Sequence, residues 1–525
     1  MAKILVADPI AEDGIQALRK CADVDVKIGL APQALLDIIA DYEALVVRSE
    51  TKVTAAVIER GCKLQVIGRA GVGVDNIDLD AATRSGIIVV NAPAANTIST
   101  AEHTIAMMMA LARHIPQAHA LLKAGQWQRT KFVGTEIRGK ILGIVGLGKV
   151  GTEVARRARG LEMKVLAFDP FVSTEYARNL GIELAPLERI FKDSDFITVH
   201  TPLTADTKGI IGAKEIALMK PTVKLINVAR GGIIDEAVLY KALEEGKVGG
   251  AAIDVFSKEP AADNILIKSD KVIVTPHLGA STSEAQSNVA LDVADQIIAA
   301  LQGQPVRYAV NIPFIPAESM SVLAPYQVVA FHVGEVAAQL VEGQLNTIAI
   351  QYDGEISNCD TSVLKATILR AILGRTSEER VNIVNANIIA ANRGIKIIEQ
   401  KSSACENYTS LITLQVVTNS GTTQVAGTQL RGEPHIVMVN SYWIDLTPSG
   451  GYWLFCDHKD RPGLIGSVGN VTGQADINIS SMQVARVTPR GRAMMVLSLD
   501  DQLPEVHRKK IEAIPDVYSV KVVRM

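Results

Sequence analysis

The stretch Gly143-Ile144-Val145-Gly146-Leu147-Gly148-Lys149-Val150-Gly151 constrains this chain more than any other. Gly146, Gly148 and Gly151 fill the pattern G-x-G-x-x-G, directly after an apolar run over 141–145 and directly before a helical pattern over 152–161. A second apolar run over 164–168 ends at Asp169, eighteen residues past Gly151. Strand, glycine turn, helix, strand and acid in this order predict a βαβ unit that binds a dinucleotide. The glycines give a tight turn, room for a pyrophosphate against the backbone, and close packing of helix on strand. The helix N-terminus offers free N–H groups and a positive dipole end to that pyrophosphate. A carboxylate at Asp169 can accept both hydroxyls of a ribose and repels a 2′-phosphate, which favours NAD over NADP. A second cluster, Gly71-Val72-Gly73, lacks the third glycine, with Asn76 in its place, and reads as a backbone turn near a ligand.

Around this unit, short apolar runs alternate with helical stretches. Strands are expected at 4–7, 44–47, 66–68 and 87–90 before it, and at 196–200, 224–228, 251–255 and 272–274 after it. The alternation predicts an α/β chain with two doubly wound parallel sheets, each covered on both faces. Ligands of such sheets bind outside the carboxyl ends of the strands, so Thr201, Arg230, Asp254 and His277, at or just after strand ends, carry the most weight. Arg230, followed by Gly231 and Gly232, can grip a carboxylate bidentately. His277, with a carboxylate partner from Asp254 or Glu259, is suited to shuttle a proton near neutral pH.

The rest of the chain changes character. A helix over about 284–302 stops before Gly303 and Pro305, and Asn311-Ile312-Pro313 with Pro316 reads as a linker. Helical stretches at 326–343 and 362–374 then flank a strand at 347–352. Thr, Val and Gln alternation over 409–439, broken at Asn419-Ser420-Gly421, predicts antiparallel strands. From 452 the order is βαββαβ, a small ferredoxin-like unit with strands at 452–456, 477–486, 492–499 and 517–523 and helices at 463–474 and 505–513.

A chain of 525 residues should hold three or four domains, at about 150 residues each. A net charge of −3, no Lys/Arg-rich run and 4% aromatics argue against nucleic acid or an anionic membrane as partner. The five scattered cysteines form no C-x-x-C and read as small hydrophobes of a reducing compartment, with no metal expected. No apolar stretch approaches the roughly 18 residues of a membrane span. The amino terminus enters a strand at once, without a signal or transit segment, which points to the cytoplasm.

The motifs at 146–151 (Gly-Leu-Gly-Lys-Val-Gly), 227–232 (Asn-Val-Ala-Arg-Gly-Gly) and 276–280 (Pro-His-Leu-Gly-Ala) resemble those of the D-isomer-specific 2-hydroxyacid dehydrogenases. The segments 69–78 and 96–103 narrow the resemblance, over essentially the whole chain, to the long, phosphoglycerate-oxidising form with an intervening domain and a C-terminal ACT domain. The resemblance implies a substrate domain at 1–97 and 290–312, an NAD domain at 98–289, an intervening, anion-binding domain at 313–450 and an ACT domain at 452–525. It implies oxidation of 3-phospho-D-glycerate to 3-phosphooxypyruvate, the first step of phosphorylated L-serine synthesis. Arg230, Glu259 and His277 fall on the family's catalytic positions. Gly146, Gly148, Lys149, Val150, Gly151, Asp169, Thr201, Val228, Ala229, Asp254, Gly279 and Ala280 fall on its NAD contacts, with Asp254 meeting the nicotinamide carboxamide. Arg48, Arg69, Gly73 and Asn96 match substrate positions, and Arg129 with Lys131 is expected to reach a neighbouring subunit's site. His458, Asp460 and Asn478 align with a serine effector site, although aspartate at 460 replaces the asparagine of some relatives. A homotetramer is the family expectation. The alternatives are another D-2-hydroxyacid dehydrogenase acting on glycerate or lactate, and an NAD-sensing corepressor-like binding protein.

Overall fold

The computed structural model describes residues 1–304, 306–313, 317–377 and 379–525. Pro305 and Pro316 of the expected linker lie outside them. Among the described residues four sheets form, and no helix is long and apolar enough to cross a membrane.

The first sheet has five parallel strands, β1 (Lys3–Val6), β2 (Asp23–Val26), β3 (Ala44–Val47), β4 (Val66–Arg69) and β5 (Ile88–Asn91), in the order β2-β1-β3-β4-β5. Its central strands are apolar throughout because helices cover both faces. The second sheet has seven parallel strands, β6 (Ile141–Val145), β7 (Lys164–Phe168), β8 (Glu183–Leu184), β9 (Phe196–Val199), β10 (Lys224–Asn227), β11 (Gly250–Ile253) and β12 (Val272–Val274). Their order, β12-β11-β10-β9-β6-β7-β8, reverses direction at β6/β9, which is where a crevice for a dinucleotide opens in such folds.

The chain crosses between these sheets twice. The Thr97–Arg113 helix carries it into the second lobe, and the Ser283–Leu301 helix brings it back. Val289, Val293 and Ile297 of that returning helix share one core with Ile4, Val6, Val46 and Val66. Residues past it rejoin the first sheet: Val310 N donates to Val89 O, and Asn311 Oδ1 accepts from Val89 N at 2.9 Å.

The third sheet has six strands, β13 (Leu345–Gly354), β14 (Lys396–Ser402), β15 (Ser410–Thr418), β16 (Thr422–Leu430), β17 (Glu433–Val439) and β18 (Tyr442–Leu446), in the order β14-β13-β15-β16-β17-β18. It departs from the sequence expectation in two ways. The edge strands β14 and β18 were not legible, and β14 pairs parallel with β13 while the remaining pairs are antiparallel. The fourth sheet is the ferredoxin-like unit, β19 (Tyr452–Lys459), β20 (Ile479–Arg486), β21 (Arg492–Leu499) and β22 (Val517–Arg524), in the order β20-β21-β19-β22.

The third and fourth sheets share a core. Leu454, Cys456, Met495 and Leu497 face the unit's own helices, whereas Trp453, Phe455, Met494, Val496 and Val523 on the other face pack with Val333, Ile350, Val416 and Val425. The third unit also grips the first lobe. Arg380 donates to Leu64 O at 3.4 Å and Gln65 Oε1 at 3.3 Å, and Asn382 Nδ2 donates to Gly86 O at 2.6 Å.

Trp453 is 2% exposed at the centre of that shared core. Trp453→Ala is expected to remove about 3–5 kcal/mol of stability and to loosen both units together. Urea unfolding followed by far-UV circular dichroism checks this; an unchanged midpoint would show that the two sheets do not depend on one core.

Candidate active site

Charged groups in and beside the cleft hang from the carboxyl ends of the parallel strands. Arg48 follows β3, Arg69 ends β4, Arg230 lies just past β10, Asp254 follows β11, and His277 comes three residues after β12. A cleft of about 1160 Å³ between the two lobes is lined by Arg48, Arg69, Gly73, Asn96, Arg230, Glu259, His277 and Ala280 together. Eight residues scattered over more than 230 positions of sequence thus meet around one space.

His277 Nδ1 lies 2.9 Å from Glu259 Oε2, and Glu259 Oε1 accepts from Phe256 N at 3.1 Å. Burial pushes the Glu259 carboxyl up, but the hydrogen bonds from His277 and Phe256 N outweigh it and hold the group below the usual carboxylate range. With Nδ1 committed to Glu259, Nε2 is the ring nitrogen free for chemistry, and the side chain is 47% exposed to the cleft. The residue sits in the left-handed region at φ +56°, uncommon for a non-glycine and therefore imposed by its surroundings.

Three guanidiniums face one another nearby. Burial, then the charges of Arg230 and Arg48, push Arg69 down to about 10, and its Nε is buried without a partner among the described residues. Gly71 and Gly73 make the space: a Cβ on Gly71 would lie 1.6 Å from Arg69 Nη1, and one on Gly73 would lie 2.5 Å from Arg230 Nη2. Arg230 Nε is 3.8 Å from Asp75 Oδ2, and that carboxylate is 83% exposed, so the pair neutralises little. Such a cluster is suited to an anion with more than one charge.

The glycine loop fits the dinucleotide reading. Gly146 turns at φ +98°, and a Cβ on Gly151 would lie 2.1 Å from Gly146 O, so helix and strand approach as closely as glycine permits. A Cβ on Gly148 would meet open space, as a position reserved for a ligand requires. Asp169 receives Leu147 N at 2.8 Å and Phe171 N at 2.9 Å, which fixes its carboxylate beside the loop. At the end of β9, Thr201 Oγ1 and His200 Nδ1 are buried without partners among the described residues. Desolvation lowers the His200 imidazole to about 4, so the ring is neutral.

Three groups of expected site residues lie apart from the cleft lining of this chain. Asp254 does not face the cleft: it is fully buried, and its oxygens take Thr275 Oγ1 at 2.5 Å, Leu278 N at 2.7 Å and Gly279 N at 2.9 Å. Its carboxylate builds the loop that carries His277. Arg129 lies on the exposed turn Arg129–Phe132, outside this chain's cleft lining, where the expected contact with a neighbouring subunit would have to be made. The third group is in the tail. Asn478 precedes β20, whereas His458 pairs with Ala493, which pairs with Arg486 at the far end of β20. Asn478 and His458 are thus separated by about 25 Å of strand, at roughly 3.3 Å per residue. His458 is itself buried, with Nδ1 3.0 Å from Cys456 O, and Asp460 is taken by Arg486 at 2.8 Å and Arg490 N at 3.1 Å.

Asp8 is a site residue that sequence reasoning missed. It follows β1 and binds Arg48 N at 2.6 Å and Thr51 Oγ1 at 2.5 Å, so it shapes the segment that bears Arg48. The strand-end rule that singled out Thr201 and His277 applies equally to it.

Comparison with known proteins agrees with this architecture. Residues 105–279 match the model of the D-isomer specific 2-hydroxyacid dehydrogenase NAD binding domain, 322–440 the D-3-phosphoglycerate dehydrogenase intervening domain, and 452–516 the ACT domain. D-3-Phosphoglycerate dehydrogenase of Synechocystis is 46% identical over 99% of this chain and 95% of its own. That of Methanocaldococcus jannaschii is 45% identical over the full length of both. The chain belongs to the D-3-phosphoglycerate dehydrogenase family of D-isomer-specific 2-hydroxyacid dehydrogenases. Among solved structures, D-lactate dehydrogenase from Aquifex aeolicus, complexed with NAD and lactic acid, superposes with a TM-score of 0.52 at 28% identity, covering 57% of this chain and 96% of the other. The second lobe is the family's NAD-binding domain, and the protein is an NAD-dependent oxidoreductase.

The strained charge of Arg69 generates a test. Arg69→Gln removes a buried cation that two others repel, so the melting temperature is expected to stay level or rise while the KM for an anionic substrate rises at least tenfold. Thermal melts with steady-state kinetics measure both; a lower melting temperature with unchanged KM would mean that Arg69 is a structural cation.

Proposed function

We propose that this chain oxidises C2 of 3-phospho-D-glycerate to give 3-phosphooxypyruvate. The observation that carries the reading is the meeting, in one cleft, of the His277–Glu259 pair with three guanidiniums. Arg230 grips the substrate carboxylate and polarises the C2 oxygen. Arg48 and Arg69 hold the phosphate, with Gly73 and Asn96 shaping the turn around it. His277 Nε2 takes the C2 hydroxyl proton, and Glu259 stabilises the imidazolium that results. Residues 146–151 with Asp169, Thr201, Val228, Ala229, Gly279 and Ala280 would hold NAD, which supplies the acceptor for the hydride leaving C2. In the reverse reaction His277 returns the proton to the C2 oxygen. A cleft between lobes joined by two crossings can close over the substrate and exclude water. The substrate lobe is read as 1–97 with 290–312, the dinucleotide lobe as 98–289, the intervening domain as 313–450 and the ACT domain as 452–525.

Purified protein given NAD and 3-phosphoglycerate at alkaline pH is expected to form NADH, with kcat/KM well above that for glycerate or D-lactate. His277→Ala should lower kcat by at least about a hundredfold with NAD affinity held within a few-fold. Preference for an unphosphorylated acid would overturn the substrate, and full activity in His277→Ala would overturn the proton acceptor.

We further propose that L-serine binds between two copies of the tail. One chain keeps His458 and Asp460 apart from Asn478, and a two-fold pairing along the β20 edge would bring each chain's His458 end to the partner's Asn478 end. Met482 and Val484, exposed on β20, supply apolar surface for such a pairing. Calorimetry on the intact oligomer should show serine binding that Asn478→Ala abolishes; no heat of binding in the wild-type protein would remove the effector.

A further inference from the structure

We propose that His103 is a positioning residue for the reaction: it fixes, through Asp254, the loop that presents His277. The inference rests on the reading of His277 as the proton acceptor.

Asp254 brackets His277 on both sides. Its Oδ1 accepts from Thr275 Oγ1, two residues before, and from Leu278 N, one residue after; its Oδ2 accepts from Gly279 N. The Asp254 carbonyl takes His277 N at 2.9 Å. One residue thus holds four groups of a five-residue loop, whose centre stands at φ +56°. The carboxylate that does this is fully buried. A buried carboxylate stays ionised only when donors and opposite charge offset its lost hydration. His103 supplies a side-chain donor from the facing helix: its Nε2 lies 3.3 Å from Asp254 Oδ1 and 3.2 Å from Thr275 Oγ1. Burial pushes the Asp254 carboxyl up, and the hydrogen bonds from His103, Thr275 and Leu278 N bring it below the usual range.

His103 reaches this site from the second turn of the Thr97–Arg113 helix, which carries the chain between the lobes. The same helix holds the loop at two further points. Thr100 Oγ1 donates to Gly279 O at 3.3 Å, and Ser99 Oγ lies 2.7 Å from Thr282 Oγ1. The helix is therefore joined to Asp254 and the catalytic loop by side-chain hydrogen bonds, and His103 is the polar link between the helix and the carboxylate. Without its donor the loop keeps its backbone hydrogen bonds, but the carboxylate that anchors them loses its helix-side partner. The His277 ring then samples orientations in which Nε2 misses the C2 hydroxyl, and misplacement of this kind acts on kcat before it acts on binding.

His103→Leu and His103→Gln test the idea in the full-length enzyme, with His277→Ala as reference. Glutamine places an amide nitrogen close to where Nε2 stands and keeps a donor; leucine fills the space without one. His103→Leu is expected to lower kcat at least tenfold with the KM for NAD within twofold, and His103→Gln to recover half or more of the wild-type kcat. Wild-type kcat in His103→Leu, while His277→Ala is inactive, would overturn this inference alone. Equal losses in the leucine and glutamine variants, with parallel drops in melting temperature, would overturn it in favour of a packing role. An active His277→Ala enzyme would instead overturn the reading on which the inference rests.

Discussion

A single hydroxyl pair, Ser99 on one crossing and Thr282 on the other, ties together the only two places where the described chain passes between the parallel lobes. The cleft is lined from both sides of those crossings. Arg48, Arg69, Gly73 and Asn96 belong to the first lobe or its exit, and Arg230, Glu259 and His277 to the second. Each lobe alone offers half of the cleft: one a cluster of guanidiniums, the other the His277–Glu259 pair beside the glycine loop. Parallel strands make the meeting possible because their carboxyl ends all point the same way, so two such lobes can turn their strand ends toward one space.

Electrostatics then divides the labour. The first lobe concentrates positive charge that its own carboxylates only partly answer. Asp8 is occupied with Arg48 N and Thr51, and Asp75 is largely in water. The uncompensated charge is a standing cost to the fold, the usual bargain at a site built for a ligand. The second lobe does the opposite. Its Asp254 is saturated with donors and Glu259 is paired, so the proton-transfer end of the cleft is set by geometry.

The architecture was largely legible because buried parallel strands leave short, wholly apolar runs between turn residues. The bounds of β3, β7, β12 and β21 agree with the sequence reading to the residue. What escaped was polar. β2 reads Asp-Val-Asp-Val and β14 reads Lys-Ile-Ile-Glu-Gln-Lys-Ser, both edge strands with much of their surface in water. Edge strands carry charge to discourage pairing with other chains, and that charge hides them from a search for hydrophobic runs. Site residues were legible as positions at strand ends, but not as directions. Nothing in the local sequence distinguishes Asp254, which turns inward to hold a loop, from Glu259, which turns toward the histidine. His103 was visible only within a motif, since a histidine on an apolar helix announces no partner until the fold brings β11 beside it. The separation of Asn478 from His458 follows from strand pairing, which three isolated positions cannot reveal.

The grip of Arg380 and Asn382 on the first lobe has a mechanical consequence. They hold the backbone at Leu64 and Gly86, just ahead of β4 and β5. β4 ends at Arg69, and Asn91 at the end of β5 donates to Val72 O in the turn that accommodates the guanidiniums. A strand is a short, stiff rod clamped by its neighbours, so a displacement at Gln65 arrives at Arg69, about 13 Å away, with little loss. The intervening unit therefore has its hands on the tail end of two levers whose tips reach the guanidinium cluster, and a twist of that unit arrives at Arg69 without first passing through the dinucleotide lobe.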